Sequence, residues 1–192
     1  MGKRKKSNLK WIKETLELDQ DHRWQAPEGY KIFVAGRGAV RFDVPQSWHF
    51  EVEENSFWFA DKKPPDDDCR LEVSFNHVPT EQLQDFPLAG ILKKIAREDK
   101  RDVIETGDVV KLKRQTARIV WTQLKFIDHQ ADPREAYSRI GIGLGSGVQC
   151  LLTFEYWADQ AEAQIPIWNT VMNSLTLGLY IRDPRTGLAF PD

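Results

Sequence analysis

Between Tyr137 and Trp157 the chain reads YSRIGIGLGSGVQCLLTFEYW. In its second half Val148, Cys150, Leu152, Phe154 and Tyr156 alternate with Gln149, Leu151, Thr153 and Glu155. A period of two puts one such set on a single face of a β-strand. Ile140, Ile142 and Leu144 repeat the pattern in the first half. Gly145-Ser146-Gly147 separates the halves, and its glycines accept the positive φ of a tight turn. The stretch predicts a long antiparallel hairpin at the centre of a half-buried sheet.

Upstream the same period recurs in shorter pieces. KIFVAG runs into the turn Gly36-Arg37-Gly38, and AVRFDVP follows with Val40, Phe42 and Val44 on one side. HFEVE and SFWFAD flank a turn at Glu54-Asn55. Lys62 to Asp68 reads as a solvated loop, because Pro64-Pro65 cannot sit inside a paired strand. RLEVSFNHV resumes the strands with Leu71, Val73 and Phe75.

From Pro79-Thr80 the period changes. Leu88, Ile91, Leu92 and Ile95 fall at i, i+3, i+4 and i+7 of a helix, with Lys93, Lys94, Arg97 and Glu98 opposite. VVKLKR and ARIVWTQLKFID return to strands. In the second, Ala117, Ile119 and Trp121 alternate, and then Leu124 and Phe126 take the other phase. That slip predicts a β-bulge near Thr122-Gln123. Asp159 is placed to cap a closing helix lined by Ile165, Trp168, Val171 and Met172, and LTLGLYI reads as a last strand.

At the ends, Ser7 to Leu18 has Leu9, Ile12 and Leu16 at helical spacing behind a Ser7 or Asn8 cap, which predicts a short helical extension. The organisation expected is an extension over 1–29, one domain over 30–180 and a polar tail over 181–192. Antiparallel strands interrupted by two helices make that domain an α+β sandwich.

Composition narrows the function classes. At 192 residues, 41% hydrophobic and 29% charged, the chain has the balance of a soluble globular protein. Its seven Trp and ten Phe supply a core without metal or disulfide. The net charge of -2 conceals a basic tip of Lys3, Arg4, Lys5, Lys6 and Lys10 on an acidic body. Such a body argues against nucleic acid as partner. The apolar runs fall short of a membrane span, and the start lacks a secretory pattern. Two cysteines, Cys69 and Cys150, form no framework, so a cytoplasmic setting is expected.

Candidate chemistry is sparse. The string Gly141 to Gly147 alternates along a strand and leads into another strand, whereas a phosphate cradle needs a helix N-terminus after its glycines. Asp66, Asp67 and Asp68 are consecutive, unlike the alternating ligands of a calcium loop. His22, His49, His77 and His129 are scattered, and no serine lies in a G-x-S-x-G elbow. Cys150 falls on the apolar face of its strand, where a thiol stays inert. No catalytic, cofactor-binding or metal-binding residue is therefore assigned, and the chain is read as a non-enzyme.

Two features remain. Trp11 and Trp24, in the extension, either anchor a partner or staple the extension to the body. Gly141 and Gly143 leave one strand face bare, to admit an aromatic side chain from a helix or a ligand.

The order of elements resembles the PsbP-like family. In VRFDVPQSWHFEV, Val40 to Val52, a strand ends in Pro45 and Trp48 follows three residues later. RLEVSF after an acidic loop, an amphipathic helix, a meander of long strands and a closing helix ending near Ser174 to Leu177 are also similar. The resemblance spans Tyr30 to Leu179. It implies a curved antiparallel sheet of about six strands between helices. Its members include the extrinsic photosystem II protein, a Ran-binding import factor and bacterial lipoproteins, and they bind other proteins. The chain departs from the exported members in lacking an export signal and a lipobox cysteine. Pro45 and Trp48 are read as structural.

The expected function is that of a cytoplasmic, non-catalytic protein-binding module of adaptor or chaperone-like type. A small-molecule or lipid-binding protein, with a cavity under the sheet at Gly141 and Gly143, is the alternative. A hydrolase using Asp or His residues comes third. Nothing in the pattern decides the oligomeric state.

Overall fold

Three long strands carry the molecule: β8 (Arg118–Asp128), β9 (Arg134–Gly145) and β10 (Val148–Trp157). The computed structural model describes residues 13–79, 86–130 and 132–190. In it, β9 and β10 pair antiparallel from Val148↔Gly145 to Trp157↔Ala136. The turn between them is made by Ser146 and Gly147 at φ of 47° and 73°, the left-handed pair that a tight hairpin needs. The central hairpin stands where the alternation placed it.

Around it the chain adds β3 (His49–Val52), β4 (Phe57–Ala60), β5 (Cys69–His77), β6 (Asp102–Thr106) and β7 (Val110–Lys113). Among the described residues they form an eight-stranded sheet in the order β3-β4-β5-β10-β9-β8-β6, with β7 sharing the outer edge of β8. Every printed pairing in it is antiparallel. The helix α1 (Leu88–Arg97) covers one face, burying Leu88 and Leu92 against Val120, Leu124, Ile140 and Ile142. The helix α2 (Ala161–Ser174) covers the other with Trp168, Val171 and Met172, packed on Ile119, Leu152 and Phe154. This is the α+β sandwich, with more strands in the sheet than the resemblance implied.

The two covered faces correct one expectation. β8 pairs with β9 without a break from Arg118↔Leu144 to Asp128↔Arg134, so there is no bulge at Thr122-Gln123. Ile119 faces α2, while Val120 and Leu124 face α1. The change of apolar phase marks a strand buried on both sides, not an inserted residue. The irregular register lies in the neighbouring pair instead, between Val103 and Glu105 of β6.

A second sheet of three strands, β1 (Tyr30–Ala35), β2 (Val40–Pro45) and β11 (Thr176–Leu177), packs on the α2 side in the order β1-β2-β11. The last residues are more ordered than a polar tail: β12 (Ile181–Asp183) and β13 (Leu188–Ala189) form a hairpin. Asp159 caps nothing. It accepts from Arg134 Nη2 at 2.8 Å, and a single 3-10 turn, Ala158–Gln160, leads into α2.

The N-terminal helix is not found. Residues 13–18 have no regular structure, and 7–12 lie outside the described residues. A helix this short holds only if packing supports it. Here Lys13 instead stretches to β3, where its Nζ donates to the Phe50 carbonyl at 3.0 Å and stands 4.7 Å from the Phe50 ring centre.

A groove between two sheet edges

Among the described residues β1 ends the small sheet and β3 ends the large one, and both edge strands line the same space. Phe33 of β1 and Phe50 of β3 meet at its floor, ring centres 5.1 Å apart. Phe57 and Phe59 of β4 lie beneath, each within 5 Å of Phe33, and are fully buried. Phe33 and Phe50 are only partly so. Strand alternation explains the set, because Phe57 and Phe59 are two apart and both point to the small sheet. The resulting groove has a volume of about 1670 Å³. That exceeds the roughly 300–1,000 Å³ of small-molecule pockets.

The segment 13–23 lines the other side of this groove as a strap. All of it is exposed except half-buried Leu16. Its backbone is tied at Asp19 and Arg23, whose N–H groups donate to the carbonyls of Arg185 and Thr186. Trp24 is the anchor. Its indole is 8% exposed, donates to the Pro184 carbonyl at 2.7 Å and lies under the Arg41 guanidinium at 5.5 Å. A Cβ on Gly187 would come within 2.7 Å of the Trp24 ring, so the β12–β13 turn seats against it. Trp24 is therefore a staple and not an exposed contact. Trp11 lies outside the described residues.

Arg41 joins the strap to the core. It donates to the Gln25 and Ser174 carbonyls and pairs with Asp43 at 2.7 Å. Burial raises the Asp43 carboxyl above its ordinary value, and Arg41 only partly offsets this. The last carbonyls of α2 are further held by Arg114, which donates to Leu175 and Met172. Cations at that end suit the helix dipole.

The bare strand face at Gly141 and Gly143 is filled. A Cβ on Gly141 would lie 3.2 Å from Trp168, and one on Gly143 would lie 3.0 Å from Leu177. An aromatic from α2 occupies the space, which leaves no room for a ligand at these two glycines. Burial, with Asp61 nearby, pushes the Cys69 thiol up to about 12, and burial alone raises Cys150. Both thiols are protonated at neutral pH and poor nucleophiles. Among the described residues no three His, Cys, Asp or Glu side chains gather in a metal-binding group, and no helix is long and apolar enough to cross a membrane.

Residues 31–181 match the model of the family described as Alr1449. The chain belongs to the Alr1449 family. It is 69% identical, over the whole of both chains, to a Nostoc sp. (strain PCC 7120) protein named "Uncharacterized protein alr1449". Its fold is similar to that of cyanobacterial PsbP (CyanoP) from Synechocystis sp. PCC 6803, at a TM-score of 0.55 and 14% identity, covering 79% of this chain and 94% of that one. It is also similar to the Saccharomyces cerevisiae Ran-binding protein Mog1p, at a TM-score of 0.50 and 8% identity, covering 78% and 95%. These likenesses show the PsbP-like fold.

Sequence reasoning read Phe33 and Phe50 as ordinary strand residues, since which strands end a sheet is invisible in a local pattern.

Proposed function

We propose that this protein is a non-catalytic protein-binding module that receives an extended segment of a partner in the groove between β1 and β3. The observation that carries the reading is the pair of sheet edges over a phenylalanine floor, covered by an exposed strap with one aromatic anchor. Adding a strand to a sheet edge supplies main-chain hydrogen bonds, and the half-buried rings of Phe33 and Phe50 supply apolar contact. That the same fold is used by a Ran-binding protein supports a binding role by analogy of fold alone. A cytoplasmic setting belongs to the same proposal, supported by two cysteines that are both free.

Affinity capture from the native host with wild type and with Phe50→Glu tests it. The expected result is a stoichiometric protein retained by wild type and lost with the variant, whose melting temperature stays within a few degrees. Equal capture by both removes the groove from the reading. Absence of any stoichiometric protein removes the binding role.

A further inference from the structure

The groove is cationic in a chain that is net acidic. Lys13, Lys31, Arg37, Lys62 and Lys63 line it against the two carboxylates Glu14 and Asp61, while the whole chain carries -2. Asp61 is turned to its own loop, where Oδ1 accepts from the N–H groups of Asp68 and Cys69 at 2.9 and 3.3 Å. Lys62 is answered by Asp68. Lys13 and Lys31 are answered by backbone alone among the described residues. Lys13 Nζ donates to the Phe50 carbonyl at 3.0 Å, and Lys31 Nζ donates to the Trp48 and Gln46 carbonyls at 2.7 and 3.1 Å. Burial, and then the charge of Lys13, lower the Lys31 ammonium below its ordinary value.

Two like charges are thus held near each other on neutral acceptors at the last strand of the large sheet. Lysine at a sheet edge is a common guard against pairing with the wrong chain. A carboxylate brought between the two ammonium groups would cancel their repulsion, which a carbonyl cannot do. It would also leave the Trp48 and Phe50 carbonyls to accept from the backbone N–H groups of an incoming strand. The floor favours a peptide over a nucleic acid strand. Phe42, Phe50, Phe57 and Phe59 stand within 5.3 Å of the Phe33 ring, which leaves it little face for a base to stack on.

Given the groove as the binding place proposed above, we infer that the segment it receives is acidic, with an Asp or Glu carboxylate taken between Lys13 and Lys31. Apolar side chains at alternate positions of that segment lie on Phe33 and Phe50, since a strand sends every second side chain to one face. Arg37 and Lys63, both exposed and at the same groove, meet further carboxylates along it. Lys13 belongs to the strap, so the carboxylate that takes its ammonium group also releases the strap from the Phe50 carbonyl.

Fluorescence anisotropy with dye-labelled, end-blocked octapeptides of alternating Glu and Val, and with the same peptide carrying Gln or Lys in place of Glu, is the test. The Glu peptide should bind saturably and roughly tenfold tighter than the Gln peptide at low ionic strength, and the Lys peptide weakest. That advantage should shrink in roughly 0.5 M salt. Lys31→Gln should bring the Glu peptide down to the affinity of its Gln counterpart. Lys13→Gln, in the exposed strap, should do the same by roughly threefold or more and serves if the first variant fails to fold. Equal binding of the Glu and Gln peptides overturns the acidic preference and leaves the groove as a peptide site. Binding by none of the three overturns it too, while host capture lost with Phe50→Glu would still uphold the groove. Displacement of the Glu peptide by an oligothymidylate at lower concentration than by unlabelled Glu peptide assigns the cations to nucleic acid and overturns it equally.

Discussion

Two aromatic-lined spaces flank the small sheet, and they are closed in opposite ways. Between the large sheet and α2, Trp168 lies on Gly141 and the interior is filled. Between β1 and β3, Phe33 and Phe50 make an equally apolar floor, yet an irregular strap closes it. A helix supplies a continuous apolar stripe and satisfies its own backbone, so it seals a face at little cost in unpaired groups. An extended strap does neither unless it pairs as a strand. Sealing makes the first region a core, and the second is closed only by a strap of exposed residues.

The largest effect should come from the sealed side. Trp168→Ala removes a fully buried indole above Gly141 and should cost about 3–5 kcal/mol in denaturant unfolding. A loss below about 1 kcal/mol would erase the distinction between the two regions. Trp24→Ala should cost less, about 2 kcal/mol, because its indole is clamped at the periphery by Arg41 and the β12–β13 turn. The lost protection should be confined to the strap and that hairpin, as read by hydrogen exchange. In the wild type, amides of residues 13–18 should exchange within seconds while Leu152 and Phe154 stay protected, and equal protection would break the comparison. Phe50→Glu comes next, about 1 kcal/mol in stability, with partner capture lost.

The smallest effect is electrostatic. The Arg101 side chain donates to Asp99 and holds its carboxyl below the usual range. A depressed folded value contributes stability above the unfolded pKa and loses it as pH falls through the folded one. The melting difference between wild type and Asp99→Asn should therefore be present at neutral pH and shrink on acidification below about 4. A constant difference would mean that the pair does not act through charge.

Much of the framework was legible because it depends on local periodicity. The β9–β10 hairpin, α1, the β1–β2 turn at Gly36 and the disruption at Pro64-Pro65 follow from residues a few positions apart. Errors arose where a local pattern had two tertiary causes. The phase change in β8 fits a bulge or a strand covered on both faces, and only the placement of α1 and α2 separates them. Leu9, Ile12 and Leu16 fit a helix, but helical spacing without a packed face carries little stability, and residues 13–18 lie along the groove instead.

The candidate site shows the same division. The sequence by itself determined that Trp24 would be an anchor or a staple, that Phe33 and Phe50 would sit in strands, and that Gly141 and Gly143 would present a bare face. Tertiary structure decided which anchor is stapled, that Trp168 fills the bare face, and that β1 and β3 become facing edges. The reason is physical: side-chain alternation is set by neighbours along one strand, whereas edges, counter-charges and lids depend on which distant segments meet.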